Sequence, residues 1–462
     1  MNVLYVVSES TPFAATGGLA EVAGSLPREL KKTGICLKVI MPLYKRVIQN
    51  FSNDLIFVGE TTIKLAWRKQ YCGLYMILYK DVEYYFIDNK FYFDRDELYS
   101  HYDDGERFAF FSQAIFDCLH IMKFHPQIIH CNDHQSALVP IYLDLMKKDG
   151  KMHEVKSIFT IHNIEYQGIY DPIILGDIFG IDEKYLDILL YNDKINLLKG
   201  AIVCADLITT VSTRYSREIT TSAYACGLHY ITNTNRKKLI GILNGIDYDV
   251  YNPETDSTLK KNYTTETIND KSINKLNLQK SFNLNESKDT AIIAVISRLA
   301  GHKGIDLLIE KVHEIMKLNT QLVILGVGEQ YYEDKFIQLG KEYPGRICSL
   351  ITFDANLAKQ IYGSADFLLM PSKTEPCGLS QMIACRYGTL PIVRGTGGLY
   401  DSINKNNGFI FKEYDSKEMM AKIKEAVKVF ADKNKYDKMV VNAMNSDFTW
   451  KASAEQYLKI QE

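Results

Sequence analysis

Two cations stand at a position in the sequence where a diphosphate could be bound. Arg298 and Lys303 follow the apolar run Ala291–Ser297, which is typical of a buried strand. A planar guanidinium donor and a point-charge ammonium together suit a diphosphate group. Taken alone, such a pair more often makes solvated surface salt bridges. The glycine turns described below shift the interpretation towards phosphate binding.

A carboxylate follows a second predicted strand in the same half of the chain. Glu375 is followed by Pro376, which restricts the backbone, and by Cys377, Gly378 and Leu379, whose amides could hold sugar hydroxyls. The carboxylate of Glu375 could offset positive charge that develops at an anomeric carbon. Equally, Glu375 could stabilise the start of a following helix through the helix dipole.

Two glycine turns resemble each other in sequence and in setting. The segments Thr16-Gly17-Gly18 and Thr396-Gly397-Gly398 each follow a predicted strand and precede a helical pattern. Amide groups at the start of a helix can bind an anion. One Gly-Gly turn is a weak signal, since glycine is common in tight turns. Two in comparable settings predict two similar halves that face one cleft.

Polar side chains also follow strands in the first half. Asp133 follows the run Ile128–Cys131, and His162 follows Ser157–Ile161. Open parallel sheets bind ligands at the carboxyl ends of their strands, so both residues are candidates for a site. His162 could donate to a sugar hydroxyl, although a lone histidine is as often a satisfied core or loop residue.

The elements that must position these residues alternate along the whole chain. Short apolar runs separated by longer amphipathic stretches predict an α/β fold with mostly parallel sheets. Leu74–Tyr79 and Val82–Ile87, joined by Lys80-Asp81, predict a local hairpin instead. The other predicted strands are Val3–Val7, Leu37–Met41, Ile128–Cys131, Ser157–Ile161, Leu207–Val211, Ala291–Ser297, Leu322–Leu325, Ile347–Phe353, Asp366–Met370, Leu390–Val393 and Gly408–Phe411.

The chain of 462 residues is too long for one ordinary core, so two domains are expected. We predict a Rossmann-like acceptor-side domain over residues 1–243 and a polar connecting segment over residues 244–290. A Rossmann-like nucleotide-sugar-binding domain is predicted over residues 291–445. Residues 446–462 are predicted to form a final helix that packs back on the first domain.

Composition excludes several classes of function. A formal net charge of −2 argues against binding of nucleic acid, and no apolar run approaches the roughly 20 residues that span a membrane. The nine cysteines form no CxxC pair and indicate reduced thiols. No export signal begins at Met1, so a cytoplasmic location is expected; a plastid or granule setting stays open if a transit peptide was removed.

Metal and dinucleotide sites are also rejected. Asp94-Arg95-Asp96 and Asp247-Tyr248-Asp249 do not directly follow a long buried strand, and Arg298 and Lys303 could neutralise phosphate charge without a cation. His130 and His134 lack further ligands nearby. Gly326-Val327-Gly328 lacks the third glycine of a dinucleotide fingerprint. We therefore expect no metal and no cofactor.

A set of motifs across nearly the whole chain resembles the glycogen/starch synthases. In chain order the motifs are Glu9 with Thr16-Gly17-Gly18-Leu19, Gly24-x-Leu26-Pro27, Asp104-x-Glu106-Arg107-Phe108, His130-Cys131-Asn132-Asp133, Thr160-Ile161-His162-Asn163-x-x-Tyr166-Gln167-Gly168, Leu243-Asn244-Gly245-Ile246-Asp247, Ser297-Arg298-Leu299, Lys303-Gly304, Pro371-Ser372, Glu375-Pro376-Cys377-Gly378-Leu379 and Tyr387-Gly388-Thr389-Leu390-Pro391. The resemblance implies two Rossmann-like domains facing an interdomain cleft, the GT-B type of glycosyltransferase fold.

The resemblance also implies an activity and roles for residues. The implied reaction transfers glucose from ADP-glucose to the non-reducing end of an α-1,4-glucan with retention of configuration and without a metal. By analogy Arg298 and Lys303 bind the diphosphate. Glu375, with Cys377, Gly378 and Leu379, lies at the donor glucose. His162 contacts that glucose, Asp133 lies on the acceptor side and Asn244 belongs to the donor site. The departing ADP helps to take the acceptor proton.

Departures from the family pattern leave alternatives open. Ala15 stands where the family has a lysine, Glu21 where it has an aspartate, and His134-Gln135 where it has Trp-His. Losing one charged hydrogen bond costs roughly 1.5–3 kcal/mol, which weakens an enzyme without silencing it. The alternatives are a glucosyltransferase that uses UDP-glucose or another acceptor, and a catalytically impaired glucan-binding or regulatory paralogue. A glycoside hydrolase would need a paired acid and base, which Asp133 and Glu375 do not provide.

Overall fold

The protein is described by a computed structural model that covers residues 1–461. These residues form two compact units. The first unit comprises Met1–Leu243 and the described residues from Trp450 onward, and the second comprises Asn244–Thr449. Both units are built from parallel strands and helices.

A nine-stranded sheet forms the centre of the first unit. The unit's strands are β1 (Asn2–Val6), β2 (Cys36–Pro42), β3 (Ile56–Leu65), β4 (Arg68–Tyr79), β5 (Val82–Asp88), β6 (Ile128–Asn132), β7 (Lys156–Ile161), β8 (Ile169–Tyr170), β9 (Leu190–Tyr191), β10 (Lys194–Asn196), β11 (Leu207–Thr210) and β12 (Leu239–Gly241). The large sheet has the order β12-β11-β7-β6-β1-β2-β5-β4-β3, and β8, β9 and β10 form a small separate sheet. Pairing in the large sheet is parallel except at β3–β4 and β4–β5.

Helices cover the sheet of the first unit. They are α1 (Gly18–Lys32), α2 (Lys45–Phe51), α3 (Lys90–Phe93), α4 (Asp104–Cys118), α5 (Leu138–Lys148), α6 (Ile174–Asp177), α7 (Leu186–Leu189), α8 (Leu197–Cys204), α9 (Thr213–Glu218), α10 (His229–Thr234) and α19 (Trp450–Gln461). The last helix lies against α1, and Ser453 Oγ donates to the carbonyl of Leu243. The chain therefore returns to its first unit at its end.

The second unit contains a six-stranded sheet that is parallel throughout. Its order is β15-β14-β13-β16-β17-β18, from β13 (Ala291–Ile296), β14 (Thr320–Leu325), β15 (Ile347–Leu350), β16 (Phe367–Met370), β17 (Leu390–Arg394) and β18 (Phe409–Phe411). The helices are α11 (Lys271–Ser281), α12 (Ile305–Ile315), α13 (Gln330–Glu342), α14 (Ala355–Ser364), α15 (Ser380–Arg386), α16 (Gly397–Ser402), α17 (Ser416–Ala431) and α18 (Lys433–Met444). Its central strands are buried along nearly their full length, as parallel strands covered on both faces must be.

The segment 244–290, predicted as a connection, takes part in the packing of the second unit. Helix α11 lies against α14. Within it, the ammonium of Lys271 donates to the carbonyls of Tyr362 and Tyr387 and to Thr389 Oγ1, at 2.8–3.0 Å. The phenol of Tyr387 also bonds to Asp256. Burial lowers the pKa of Lys271 to about 7. The hydrogen bonds of Lys271 and Tyr387 hold the segment to the rest of the second unit.

The structure corrects several strand predictions. The prediction for Ile347–Phe353 was too long, because β15 ends at Leu350 and the side chain of Phe353 is 89% exposed. Strands β3, β8, β9, β10 and β12 were missed, since β3 is largely solvent-facing and the other four have only two or three residues each. The hairpin is confirmed by the antiparallel pairing of β4 with β5. Within residues 1–461, every helix is too short or too polar to cross a membrane.

Candidate functional site

Glu9 lies at the carboxyl edge of the first sheet, three residues after β1 ends. Its carboxylate accepts hydrogen bonds from the amide and the hydroxyl of Thr16, at 2.6 and 2.7 Å. Burial raises the pKa of Glu9, while the bonds from Thr16 and the charge of Arg46 partly offset this effect. Glu9 therefore fixes the predicted glycine turn to the end of β1.

Helix α1 begins in that turn. Gly17 caps the helix without a side-chain bond, and Gly18 is its first residue. A Cβ at either glycine would meet no atom within 4 Å, so the turn is open to its surroundings. Ala15 is exposed, and Arg46 Nη1 donates to its carbonyl at 3.3 Å. A cation thus lies against the turn although the family lysine is absent.

Asn132, Asp133 and His162 lie together at the adjacent ends of β6 and β7. The amide of His162 donates to Asp133 Oδ1 at 2.7 Å, and His162 Nε2 lies 2.9 Å from Asn132 Oδ1. The amide nitrogen of Asn132 donates to Val6 O, which leaves its Oδ1 as an acceptor. The imidazole therefore donates through Nε2, and its Nδ1 can only accept. The predicted contact of His162 with a sugar stays a prediction.

Burial sets the charge state of this cluster. It raises the pKa of Asp133 to about 7, although amide donors from His162 and Asn163 oppose the rise. It lowers the pKa of His162 to about 3, so the ring is neutral at pH 7. Asp133 also has a φ of 54°, a conformation that costs a non-glycine residue roughly 1–3 kcal/mol. Such a cost is typical of functional positions.

We expect Asp133→Asn to raise the free energy of unfolding at neutral pH. The folded-state pKa lies above the ordinary value, so the native state binds the proton more tightly than the unfolded chain. This contribution to stability is complete below about pH 4 and is lost as the pH rises towards 7. Asparagine does not titrate, so the variant keeps this contribution at every pH. The free energy of unfolding of Asp133→Asn at pH 8 should therefore exceed that of the wild type by at most about 4 kcal/mol.

Urea unfolding of both proteins from pH 4 to pH 8 measures this difference. The exposed Asp149 of the same unit supplies a matched control, Asp149→Asn. We expect the wild-type and Asp133→Asn curves to converge at pH 4 and to separate as the pH rises. A constant offset at every pH would contradict the assigned cause.

An ion pair marks the carboxyl edge of the second sheet. Lys303 Nζ lies 2.7 Å from Glu375 Oε2, and the hydroxyl of Ser372 donates to the same oxygen at 3.0 Å. Glu375 is 7% exposed. Arg298 lies on the same loop as Lys303, and its exposed guanidinium makes no hydrogen bond or ion pair with residues 1–461. The cluster thus holds a fixed carboxylate, a paired ammonium and an unengaged guanidinium.

Close backbone contacts hold the loop that carries Glu375. The amide of Gly398 lies 3.2 Å from the carbonyl of Glu375 and 3.1 Å from that of Pro376. A Cβ at Gly397 would lie 1.9 Å from the Glu375 carbonyl, and one at Gly398 would lie 2.1 Å from that of Cys377. The turn Thr396-Gly397-Gly398 is therefore packed against this loop, unlike the open turn at Gly17-Gly18. Its predicted contact with the donor stays a prediction.

Three further side chains complete this edge. The sulfur of Cys377 accepts from the backbone of Asn244, and burial raises the pKa of the thiol to about 12. Asn244 Oδ1 is buried without a hydrogen-bond partner in the described chain. Gln381 Nε2 donates to the carbonyls of Cys377 and Gly378, at 3.1 and 2.9 Å. Its Oε1 is also unpaired within residues 1–461 and would clash with a Cβ at Gly378.

Sequence reasoning found most members of these clusters but missed others. It placed Asp133 with His162 and Arg298 with Lys303 at strand ends, and the structure brings each of these pairs to one edge or one loop. It overlooked Gln381 and Arg394, whose Nη1 donates to the carbonyl of Lys373 at 2.6 Å. An arginine that directly ends an apolar run was the available signal for Arg394. No comparable signal marked Gln381.

The rejected metal motifs have structural partners. Asp96 pairs with Lys45, and Arg95, between the two aspartates, pairs with Asp103. His130 is buried and lies 2.7 Å from Thr160 Oγ1. No group of three or more His, Cys, Asp or Glu residues in the described part of the chain is arranged to hold a metal ion.

Comparisons with known proteins identify relatives over the whole chain. Residues 2–234 match the family described as the starch synthase catalytic domain, and residues 277–445 match glycosyl transferases group 1. The chain is 44% identical to a glycogen synthase of Clostridium botulinum (strain Alaska E43 / Type E3), across 100% of this chain and 98% of that protein. It is 43% identical to a glycogen synthase of Alkaliphilus metalliredigens (strain QYMF), across 100% and 99%.

A solved structure extends the likeness to the fold. The catalytic domain of starch synthase IV from Arabidopsis thaliana, bound to ADP and acarbose, matches with a TM-score of 0.90 at 31% identity, across 99% of this chain and 98% of that one. Fold and clusters together define an α/β glycosyltransferase of the GT-B type. The chain belongs to the glycogen/starch synthase family, as the sequence motifs predicted, and is a glucosyltransferase.

Proposed function

We propose that the protein transfers glucose from ADP-glucose to the non-reducing end of an α-1,4-glucan with retention of configuration. The observation that carries this proposal is the pairing of Lys303 with Glu375, with the unengaged guanidinium of Arg298 on the same loop as Lys303. Family membership supports the substrate class. The ADP and acarbose bound to the Arabidopsis relative support binding of a nucleoside diphosphate and of a glucan-like ligand by this protein. We further propose a cytoplasmic enzyme that uses neither a metal nor a cofactor.

In this proposal the second unit binds the donor. Arg298 and Lys303 neutralise the diphosphate, since two cations match its charge without a divalent ion. Glu375 faces the glucose, held in place by Lys303 and Ser372. Asn244 Oδ1 and Gln381 Oε1 are buried acceptors that hydroxyl donors of the ligand would satisfy.

The reaction breaks the bond between the anomeric carbon and the diphosphate oxygen. That bond pair leaves with ADP, and a bond forms from the same carbon to the O4 hydroxyl of the glucan on the same face. The hydroxyl proton passes to the departing ADP, so no separate protein base is required. Glu375 stabilises the positive charge that develops at the anomeric carbon during the transfer.

The first unit binds the acceptor in this proposal. Asp133 is held by the amide of His162 and can accept from a glucan hydroxyl when ionised or donate when protonated. His162 Nδ1 provides an additional acceptor. Gln135 Oε1 is buried and unpaired in residues 1–461, at a position where the family carries histidine.

Side-by-side incubation of the protein with ADP-glucose or UDP-glucose, with glycogen as acceptor, tests the proposal. We expect release of ADP with incorporation of glucose into glycogen, unchanged by a chelator. Release of UDP but not ADP would contradict ADP-glucose as the donor and support the alternative, UDP-glucose. Loss of activity in the presence of the chelator would contradict the proposal that the reaction needs no metal.

We expect Ala15→Lys to raise kcat/KM by less than about tenfold. Arg46 already places a guanidinium against the carbonyl of Ala15, so the turn retains a cation. An additional exposed charge is worth about 1 kcal/mol or less. For the same reason we expect Arg46→Gln to lower kcat/KM by more than Ala15→Lys raises it. Initial-rate measurements with ADP-glucose compare the two variants.

This pair of variants also tests the alternative of an impaired paralogue. A gain of a hundredfold or more from Ala15→Lys would show that the natural chain lacks a necessary cation. It would then support a protein that binds glucan more than it extends it. The control for nonspecific effects of reverting the sequence is Ala225→Gly, because Ala225 stands at a position where glycine is frequent in the family.

A further inference from the structure

Strand β3 forms an uncovered edge of the nine-stranded sheet. It has ten residues, stands last in the order of the sheet and pairs with β4 alone. Within residues 1–461, no group outside β4 hydrogen-bonds to the backbone of β3. Alternate residues of such a strand direct their amide and carbonyl groups away from the neighbouring strand. The edge therefore offers a row of backbone donors and acceptors to a further strand.

The two faces of β3 have opposite environments. Ile63 and Leu65 are buried, and helix α4 packs against the strand. Glu60, Thr62 and Lys64 alternate with these two residues and are exposed. An additional strand could therefore join the edge while the buried face stays in the core and the exposed face stays in solvent.

Charges on the exposed face are not compensated within the hairpin of β3 and β4. Lys64 lies directly opposite Lys69 of β4, and Glu60 lies opposite Gly73, which has no side chain. Neither lysine forms an ion pair with residues 1–461, and Glu60 has only an uncharged neighbour, the phenol of Tyr71. Like charges directly opposite each other destabilise a sheet. The edge of β3 therefore presents an unpaired cation and an unpaired carboxylate.

The pattern of β3 is complementary to itself when two copies run antiparallel. Glu60 and Lys64 lie at equal distances on either side of Thr62, so a two-fold axis at Thr62 places each Glu60 opposite Lys64 of the second copy. Opposite charges and threonine pairs that face each other across strands both stabilise a sheet. A register shifted by one residue would turn the buried face of one copy towards the exposed face of the other. Lysine at a sheet edge discourages pairing with most strands, whereas a second β3 supplies the matching carboxylate.

We propose that the edge of β3 is the interface of a homodimer, in which β3 pairs antiparallel with β3 of a second copy about a two-fold axis at Thr62. The pairing joins the large sheets of two first units into one continuous sheet. Such a two-fold arrangement uses the same surface of both copies, as most homodimers do. One strand pair is a small interface, so the dimer is weak and its population depends on protein concentration. The interface is independent of the proposed reaction.

Sedimentation velocity of the full chain at low salt, at protein concentrations up to about 0.2 mM, tests the interface. We expect the wild type to pass from monomer to dimer within this range. Glu60→Lys and Lys64→Glu should each raise the dimer Kd about tenfold, because each replaces two attractive contacts by two repulsive ones. The double variant Glu60→Lys with Lys64→Glu restores opposite charges and should recover the wild-type Kd. A wild type that stays monomeric over the whole range would overturn the proposal.

Urea unfolding separates the interface from the fold. Lys64→Glu removes the like-charge pair with Lys69 inside the hairpin, so we expect its free energy of unfolding not to fall although its dimer weakens. Lys80→Glu is the matched control, because Lys80 is exposed and lies beyond Met76, the last residue of β4 that pairs with β3. This control should dimerise like the wild type. A dimer that neither single variant weakens, or a double variant no better than the single ones, would contradict the antiparallel register at Thr62.

Discussion

We expect Glu375→Gln to lower kcat by about 10²–10³-fold while the affinity for ADP-glucose changes little. The substitution keeps the shape of the side chain and removes its charge. Glu375 is nearly buried and fixed by Lys303 and Ser372, so its charge acts in a site with little water. Pre-oriented charges of this kind are worth roughly 3–4 kcal/mol in the transition state.

Pre-steady-state measurements with saturating ADP-glucose separate this loss from donor binding. Glu418→Gln is the matched control, because the Glu418 carboxylate is also held by hydrogen bonds in the same unit, here from the backbone amides of Lys412 and Glu413. We expect the control to retain wild-type turnover. A large rise in donor Kd with unchanged kcat would mean that Glu375 serves binding rather than charge development.

We expect Lys303→Gln to lower kcat/KM for ADP-glucose by about 10²–10⁴-fold. Two effects combine in this variant. The diphosphate loses a charged partner, which is worth roughly 1.5–3 kcal/mol. The carboxylate of Glu375 also loses its cation in a buried position, which is costly for the unliganded protein as well.

A double-mutant cycle distinguishes the two effects. We expect Lys303→Gln together with Glu375→Gln to lose much less than the sum of the single losses, because the paired groups act as one unit. Lys373→Gln, an exposed lysine on the loop before Glu375, provides the control. Additive losses would show that the ion pair at 2.7 Å has no energetic role.

The strands that carry the site were predictable, and the reasons are physical. Runs such as Ala291–Ile296 are apolar throughout because both faces of a parallel strand are covered. Strand β3 escaped prediction because most of its residues face solvent at the edge of the sheet. Its partner β4 was predicted from Leu74 only, since the residues from Arg68 to Gly73 are mostly polar. The hairpin of β3 and β4 was therefore not predicted from the sequence.

The site was predictable as a set of strand ends but not as a set of contacts. Position after a strand identified Asp133, His162 and Glu375, because ligands bind where parallel strands end. The pairing of Lys303 with Glu375 joins residues 72 positions apart, and no local pattern encodes it. Arg46 approaches the turn at Ala15 through the fold alone.

Calorimetric titration of the protein with ADP-glucose, compared between the wild type and Arg298→Gln, is the most direct test of the donor site. The guanidinium of Arg298 makes no hydrogen bond or ion pair with residues 1–461, so the variant alters the ligand's surroundings and little else. A Kd about 10–100-fold higher for the variant is the predicted result. Identical titration curves for the two proteins would contradict the proposal that the carboxyl edge of the second sheet binds the diphosphate of ADP-glucose.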